Sequence, residues 1–151
     1  MIGKSKNMSY KIKVAFLMLI GLQALHSIEE FVFEFYERFP PMAFVYRDAL
    51  HLAKPAFFIS NVLLVLFGVF CFFRWVQRAS KSAGTILWFW IAIESFNVVA
   101  HLVWAVFIRD YNPGLATVLF FLPILIYLGY QLRKWNTESL NRKITNSLGN
   151  F

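Results

Sequence analysis

Two clusters of polar residues sit inside stretches that are otherwise apolar: His26, Glu29 and Glu30 in one, and Glu94, Asn97 and His101 in the other. On a helix of 100° per residue the first three share an arc of about 100°, with Gln23 at its edge. The second three fall at i, i+3 and i+7, an arc of about 60°, and Trp90 and Trp104 continue the same stripe. An ionised carboxylate at bilayer depth costs at least about 2.5–3.5 kcal/mol, so such residues normally face a bundle interior or water and serve a purpose. A hydrogen-bonded network that only ties two spans together is the plainer account. Such contacts in membranes average about 0.6 kcal/mol, a small return for three carboxylates.

Three carboxylates and two imidazoles with no Lys or Arg beside them lack a positive charge. Protons, imidazolium or a divalent cation can supply it. His26, Glu29, Glu30, Glu94 and His101 together form a ligand set suited to Zn, Fe or Mn. Carboxylate-bridged two-metal bundles use four carboxylates and the order Glu-x-x-His. Here the order is His-x-x-Glu and the carboxylates number three, which points to one ion. A carboxylate among Glu29, Glu30 and Glu94 that is left over would act as general base, with Asn97 orienting a ligand or stabilising developing negative charge. The expected activity is an integral-membrane enzyme of hydrolytic or hydration type, acting on a lipid or other apolar substrate. Two alternatives use the same residues: a transporter moving protons or a cation, and a metal-free acid–base isomerase.

The elements that must position these residues follow from composition. The chain is 59% hydrophobic and 15% charged, with mean hydropathy +0.57, more apolar surface than one soluble core of 151 residues can bury. Four stretches are long enough to cross a bilayer: Val14–Tyr36, Pro55–Trp75, Ile86–Ile108 and Leu115–Leu132. The expected fold is all-α, a polytopic four-transmembrane-helix bundle over 1–134, followed by a mobile polar tail over 135–151. Of the 15 basic residues, only Arg38, Arg47, Lys54 and Arg109 fall on the side opposite the termini. That distribution predicts cytoplasmic N- and C-termini in a bacterial inner membrane. The net charge of +7 then reads as topology and contact with membrane lipid, and no nucleic-acid partner is expected. Cys71 is the single cysteine, so no intrachain disulfide is possible.

Span one runs outward and span three inward, so His26–Glu30 and Glu94–His101 overlap in height and should meet in a pocket that opens laterally or outward. The connection Arg38–Lys54, with Pro40 and Pro41, is long enough to fold back as a partial cap, and its Arg47, Asp48 and His51 read as interfacial. The connection Arg109–Gly114 is a tight turn. Asn61 in span two is either a further site residue or interhelical glue, and Pro123 should bend span four.

His26-Ser-Ile-Glu29-Glu30 resembles the signature of the HXXEE-domain bacterial membrane proteins. Asn97-Val-Val-Ala-His101 is similar to that family's Asn-x-x-x-His, and Tyr111-Asn-Pro113-Gly114-Leu-Ala-Thr117 to its Tyr-x-Pro-Gly-x-x-Thr. The three motifs occur in the family's order across roughly Phe16–Leu132, with no departure at a motif position. The resemblance implies membrane location and a metal-binding or catalytic use of the His and Glu residues, and it supplies no reaction. Within the third motif, Tyr111 and Thr117 are candidate substrate-binding residues, placed by the Pro113–Gly114 reversal above the pocket.

Overall fold

The computed structural model describes residues 8–39, 44 and 50–148. Helix α1, Tyr10–Val32, starts at Ser9, whose hydroxyl accepts from the Lys11 N–H at 3.3 Å. It ends earlier than its apolar run. Glu34 takes a left-handed conformation at φ 58° and turns the chain into the short α2, Phe35–Arg38. Span one therefore stops at Val32 instead of continuing to Tyr36, and Phe35 and Tyr36 fold back against Phe57 and Trp104. This aromatic group covers one end of the bundle. The expected cap over Arg38–Lys54 lies for its middle part, including Arg47 and Asp48, outside the described residues, as does the side chain of His51.

Helix α3, Leu50–Cys71, passes into a π-helical turn at Phe72–Val76. Gln77 follows, and its carbonyl accepts from Lys13 Nζ of α1 at 2.9 Å. Helix α4, Ala83–Ile108, ends at Arg109 with φ 54°, and a turn leads to Gly114 with φ 94°. Helix α5 runs Leu115–Leu148, through Pro123. Residues 133–148 thus continue the last helix. No Gly or Pro interrupts them, and Trp135 packs into the core beside Gly84.

Four helical segments are long and apolar enough to cross a membrane: Tyr10–Val32, Leu52–Val76, Ala83–Ile108 and Leu115–Ser139. Their outward faces are hydrocarbon, with Phe107 at 85% and Phe96 at 77% exposed, which water would not tolerate and lipid would. Inside, α1 lies against α3 and α5, and α5 against α4. The half nearer the termini is apolar: Ile12, Phe16, Leu19, Leu87, Trp90, Leu128 and Leu132 are buried together. The buried charged and amide-bearing side chains among the described residues, Gln23, His26, Glu30, Glu94, His101 and Asn112, lie from mid-bundle toward the α4–α5 turn.

Candidate functional site

His26 and Glu30 are one turn apart on α1, and His101 faces them from α4. The Glu30 carboxylate oxygen Oε1 lies 3.5 Å from His26 Nε2 and 3.2 Å from His101 Nε2. The three side chains are only 1%, 6% and 3% exposed, and each offers a ligand atom within 4.8 Å of the others. The two rings meet edge to face at 4.9 Å.

Each imidazole is oriented through its far nitrogen. Asn112, wholly buried in the α4–α5 turn, donates from Nδ2 to the His101 carbonyl at 2.9 Å. That bond fixes the amide so that its oxygen accepts from His101 Nδ1 at 2.8 Å. His26 Nδ1 lies 2.8 Å from Thr117 Oγ1. The Thr117 hydroxyl gives its one proton to Glu29 Oε2 at 2.6 Å, so it accepts from His26. Both Nδ1 atoms therefore carry hydrogen, and both Nε2 atoms point inward, each presenting a lone pair whenever its ring is neutral.

Two lone pairs facing one carboxylate oxygen repel unless a positive charge lies between them. A divalent ion or a proton meets that requirement. Four-coordinate zinc with bonds of about 2.0–2.1 Å separates its ligands by about 3.3 Å, close to the 3.5 and 3.2 Å between Glu30 and the two imidazoles. The residues present thus fit a metal: His26, Glu30 and His101 could hold one. Asn97 Nδ2 contacts His26 Nε2 at 3.1 Å, a hydrogen bond that an ion there would displace.

Glu29 stands apart from this cluster. Its Oε1 accepts from the N–H groups of Gly114 and Ala116, both at 3.1 Å, and from the Tyr111 hydroxyl. Its Oε2 accepts from Thr117 N–H at 2.9 Å as well as from the Thr117 hydroxyl. The first turn of α5 exposes unpaired N–H groups and the positive end of the helix dipole. A side chain at the cap position would ordinarily answer them. Here that position is Gly114, and it must stay so: a Cβ would lie 2.6 Å from His26 Cε1 and 2.7 Å from His101 Cε1. A carboxylate from α1 caps α5 in its place. Tyr111 completes the cap, and burial together with the Glu29 carboxylate pushes its phenol up to about 12.

Glu94 is buried one layer further in, beside Gln23 and Asn97. Gln23 links it to Ser27, Ser27 Oγ donates to Asn61 Oδ1 at 2.7 Å, and Asn61 Nδ2 donates to the Phe57 carbonyl at 3.1 Å. With Gln23 Nε2 toward Ser27, 3.2 Å away, the amide oxygen would face only acceptors, so the turned orientation is the one its surroundings satisfy. With the amide turned, its nitrogen donates to both Glu94 oxygens at 3.0 and 3.3 Å and the carboxylate is satisfied as an anion.

The structure thus brings His26, Glu30, Asn97 and His101 together, sets Glu94 behind them, and engages Glu29, Tyr111 and Thr117 with the start of α5. Gly114 roofs the cluster and Phe35 covers His101 at a ring distance of 5.4 Å. Four grooves of about 290, 460, 620 and 460 Å3 run along the bundle, and none of these four is lined by His26, Glu30 or His101. Sequence reasoning missed Asn112, which reads as an ordinary turn residue before Pro113; its burial is the only signal that marks it.

Fold and site together define a multi-pass membrane protein with an enclosed histidine–carboxylate cluster. Residues 17–128 match the family described as "Protein of unknown function with HXXEE motif", and the chain belongs to that family. No curated protein and no solved structure matches it.

Proposed function

We propose that this chain is a membrane-embedded, metal-dependent enzyme of the bacterial inner membrane, with cytoplasmic termini, acting on a lipid or other apolar substrate. The observation that carries the reading is the paired orientation of His26 and His101, each with Nδ1 committed to an oxygen and Nε2 turned to Glu30. Two imidazoles and one carboxylate are the protein ligands of several hydrolytic zinc enzymes. A divalent ion held there supplies Lewis acidity for hydrolytic or hydration chemistry.

The chain's own residues supply the rest. Asn112 and Thr117 hold the imidazole tautomers, as outer partners of metal ligands do. Asn97 offers an amide beside His26 to orient a reacting group. Glu94, bonded by the Gln23 amide, is the spare carboxylate that serves as general base. Glu29 keeps the roof seated over the cluster and excludes water while it is closed. Substrate access requires the Tyr111–Thr117 segment or the Phe35 cover to move.

Elemental mass spectrometry of the purified protein tests the reading, alongside Glu30→Gln and His101→Ala. About one equivalent of Zn, Fe or Mn in the wild type, lost in both variants, is the expected result. No stoichiometric metal after anaerobic add-back overturns the metal reading. Movement of substrate across proteoliposomes without chemical change overturns the enzyme reading.

A further inference from the structure

The polar series that begins at Glu94 leaves the bundle interior and ends on its outside, at Asn61. There α1 and α3 enclose a groove of about 290 Å3 whose walls include Ala24, Ser27, Phe31, Phe58, Asn61 and Val62. It lies within the membrane-crossing parts of both helices, where lipid is the neighbouring solvent. Ser27 and Asn61 are the polar members of its lining.

Asn61 can make four hydrogen bonds, two through its oxygen and two through its nitrogen. The oxygen accepts from Ser27 and the nitrogen donates to the Phe57 carbonyl. One N–H and one lone pair remain, on a half-buried amide that lines an apolar groove. At one end of the groove the Lys54 ammonium stands 5.4 Å over the ring of Phe31, itself a wall residue. Lys54 and Asn61 are two helical turns apart on α3, about 10 Å.

These features select an occupant. A diacyl phospholipid carries its ester carbonyls at headgroup level and has nothing to offer an amide two turns deeper. A plain hydrocarbon leaves both the ammonium and the amide unanswered. We propose that the groove binds a fatty-acid-type lipid, with its carboxylate at Lys54, its chain between α1 and α3, and an in-chain hydroxyl or carbonyl on Asn61. The groove contains none of the three ligand residues, and the proposal stands independently of the metal reading.

The test is binding to the full-length protein in nanodiscs, with stearic acid and a mid-chain hydroxystearic acid as probes. The hydroxylated acid should bind about tenfold more tightly, the worth of one hydrogen bond made out of water. Asn61→Leu should level the two acids, and Lys54→Gln should weaken both about tenfold. Val62→Trp, which fills the groove from an exposed position, should abolish both. Chelator-treated protein should give the same values, so that failure here and failure of the metal reading are told apart. Equal affinity for the two acids in the wild type overturns the proposal, as does a preference that survives Asn61→Leu or binding that survives Val62→Trp.

Discussion

Glu29 and Glu30 are adjacent on α1, have the same side chain, and occupy opposite situations. Glu29 is surrounded by donors: three backbone N–H groups and two hydroxyls converge on it. Glu30 is faced by two imidazole nitrogens whose hydrogens point the other way. The first carboxylate is fully answered by the protein and belongs to the architecture. The second requires a proton or a metal ion to complete it. A rotation of 100° along one helix separates a carboxylate held by backbone donors from one facing two imidazoles. Thr117 joins the two, donating to Glu29 and accepting from His26, so the cap also sets the tautomer of His26.

The most damaging test of this division removes the space both sides share. Gly114→Ala puts a methyl against both imidazoles in a left-handed conformation. It should cost about 3 kcal/mol or more, lower the melting temperature by roughly 10 °C, and abolish metal binding. Normal melting and metal content in that variant would mean that the turn does not roof the cluster.

Exchanging the two carboxylates one at a time should give opposite outcomes. Glu29→Gln should lower the melting temperature by about 5–10 °C, from roughly 2–3 kcal/mol of lost capping, while metal remains bound with 10–100-fold weaker affinity. Glu30→Gln should lose the metal and melt within a few degrees of the metal-free wild type. The reverse pattern, read by differential scanning fluorimetry and elemental analysis together, would break the comparison.

A smaller effect sharpens it. Asn112→Leu removes the acceptor that orients His101 and should weaken metal binding about 10–100-fold in a chelator competition. The smallest concerns Tyr111. Its phenol, raised from about 10 to about 12, stabilises the fold fully below pH 10 and loses that contribution as pH rises through 12. Tyr111→Phe should cost about 1 kcal/mol at neutral pH and remove one late-titrating phenol from the alkaline absorbance curve.

The four apolar helices and the facing of α1 toward α4 can be read from the sequence, because polar side chains at helical spacing mark a single face of each span. The division between Glu29 and Glu30 cannot. Both fall in the inward arc, and what separates them is the start of α5, placed beside Glu29 by packing alone. The motif Tyr-x-Pro-Gly-x-x-Thr gains its meaning in the same way: Tyr111 and Thr117 bind the Glu29 carboxylate, and Pro113-Gly114 brings the backbone close enough to the imidazoles. The early end of α1 was hidden because Phe33–Tyr36 continues the apolar run, while the left-handed Glu34 diverts it. Beyond Leu132 the residues turn polar without a helix breaker, so composition marks the end of the span but not of the helix.

The cap on α5 comes from the far end of the chain's history. The partners of Glu29 lie 82 to 88 residues later in the sequence. A chain made from its N-terminus therefore commits α1, with both carboxylates, well before α5 exists to receive one of them. Until the α4–α5 turn and the last span arrive, Glu29 lacks its donors, His26 lacks Thr117 and His101 lacks Asn112. Insertion of the fourth span is thus the event that assembles the cluster, closes its roof and retires the charge burden of the first, all in one step. A chain stopped after Ile108 would contain all six polar residues on the right faces of its helices and a misassembled site.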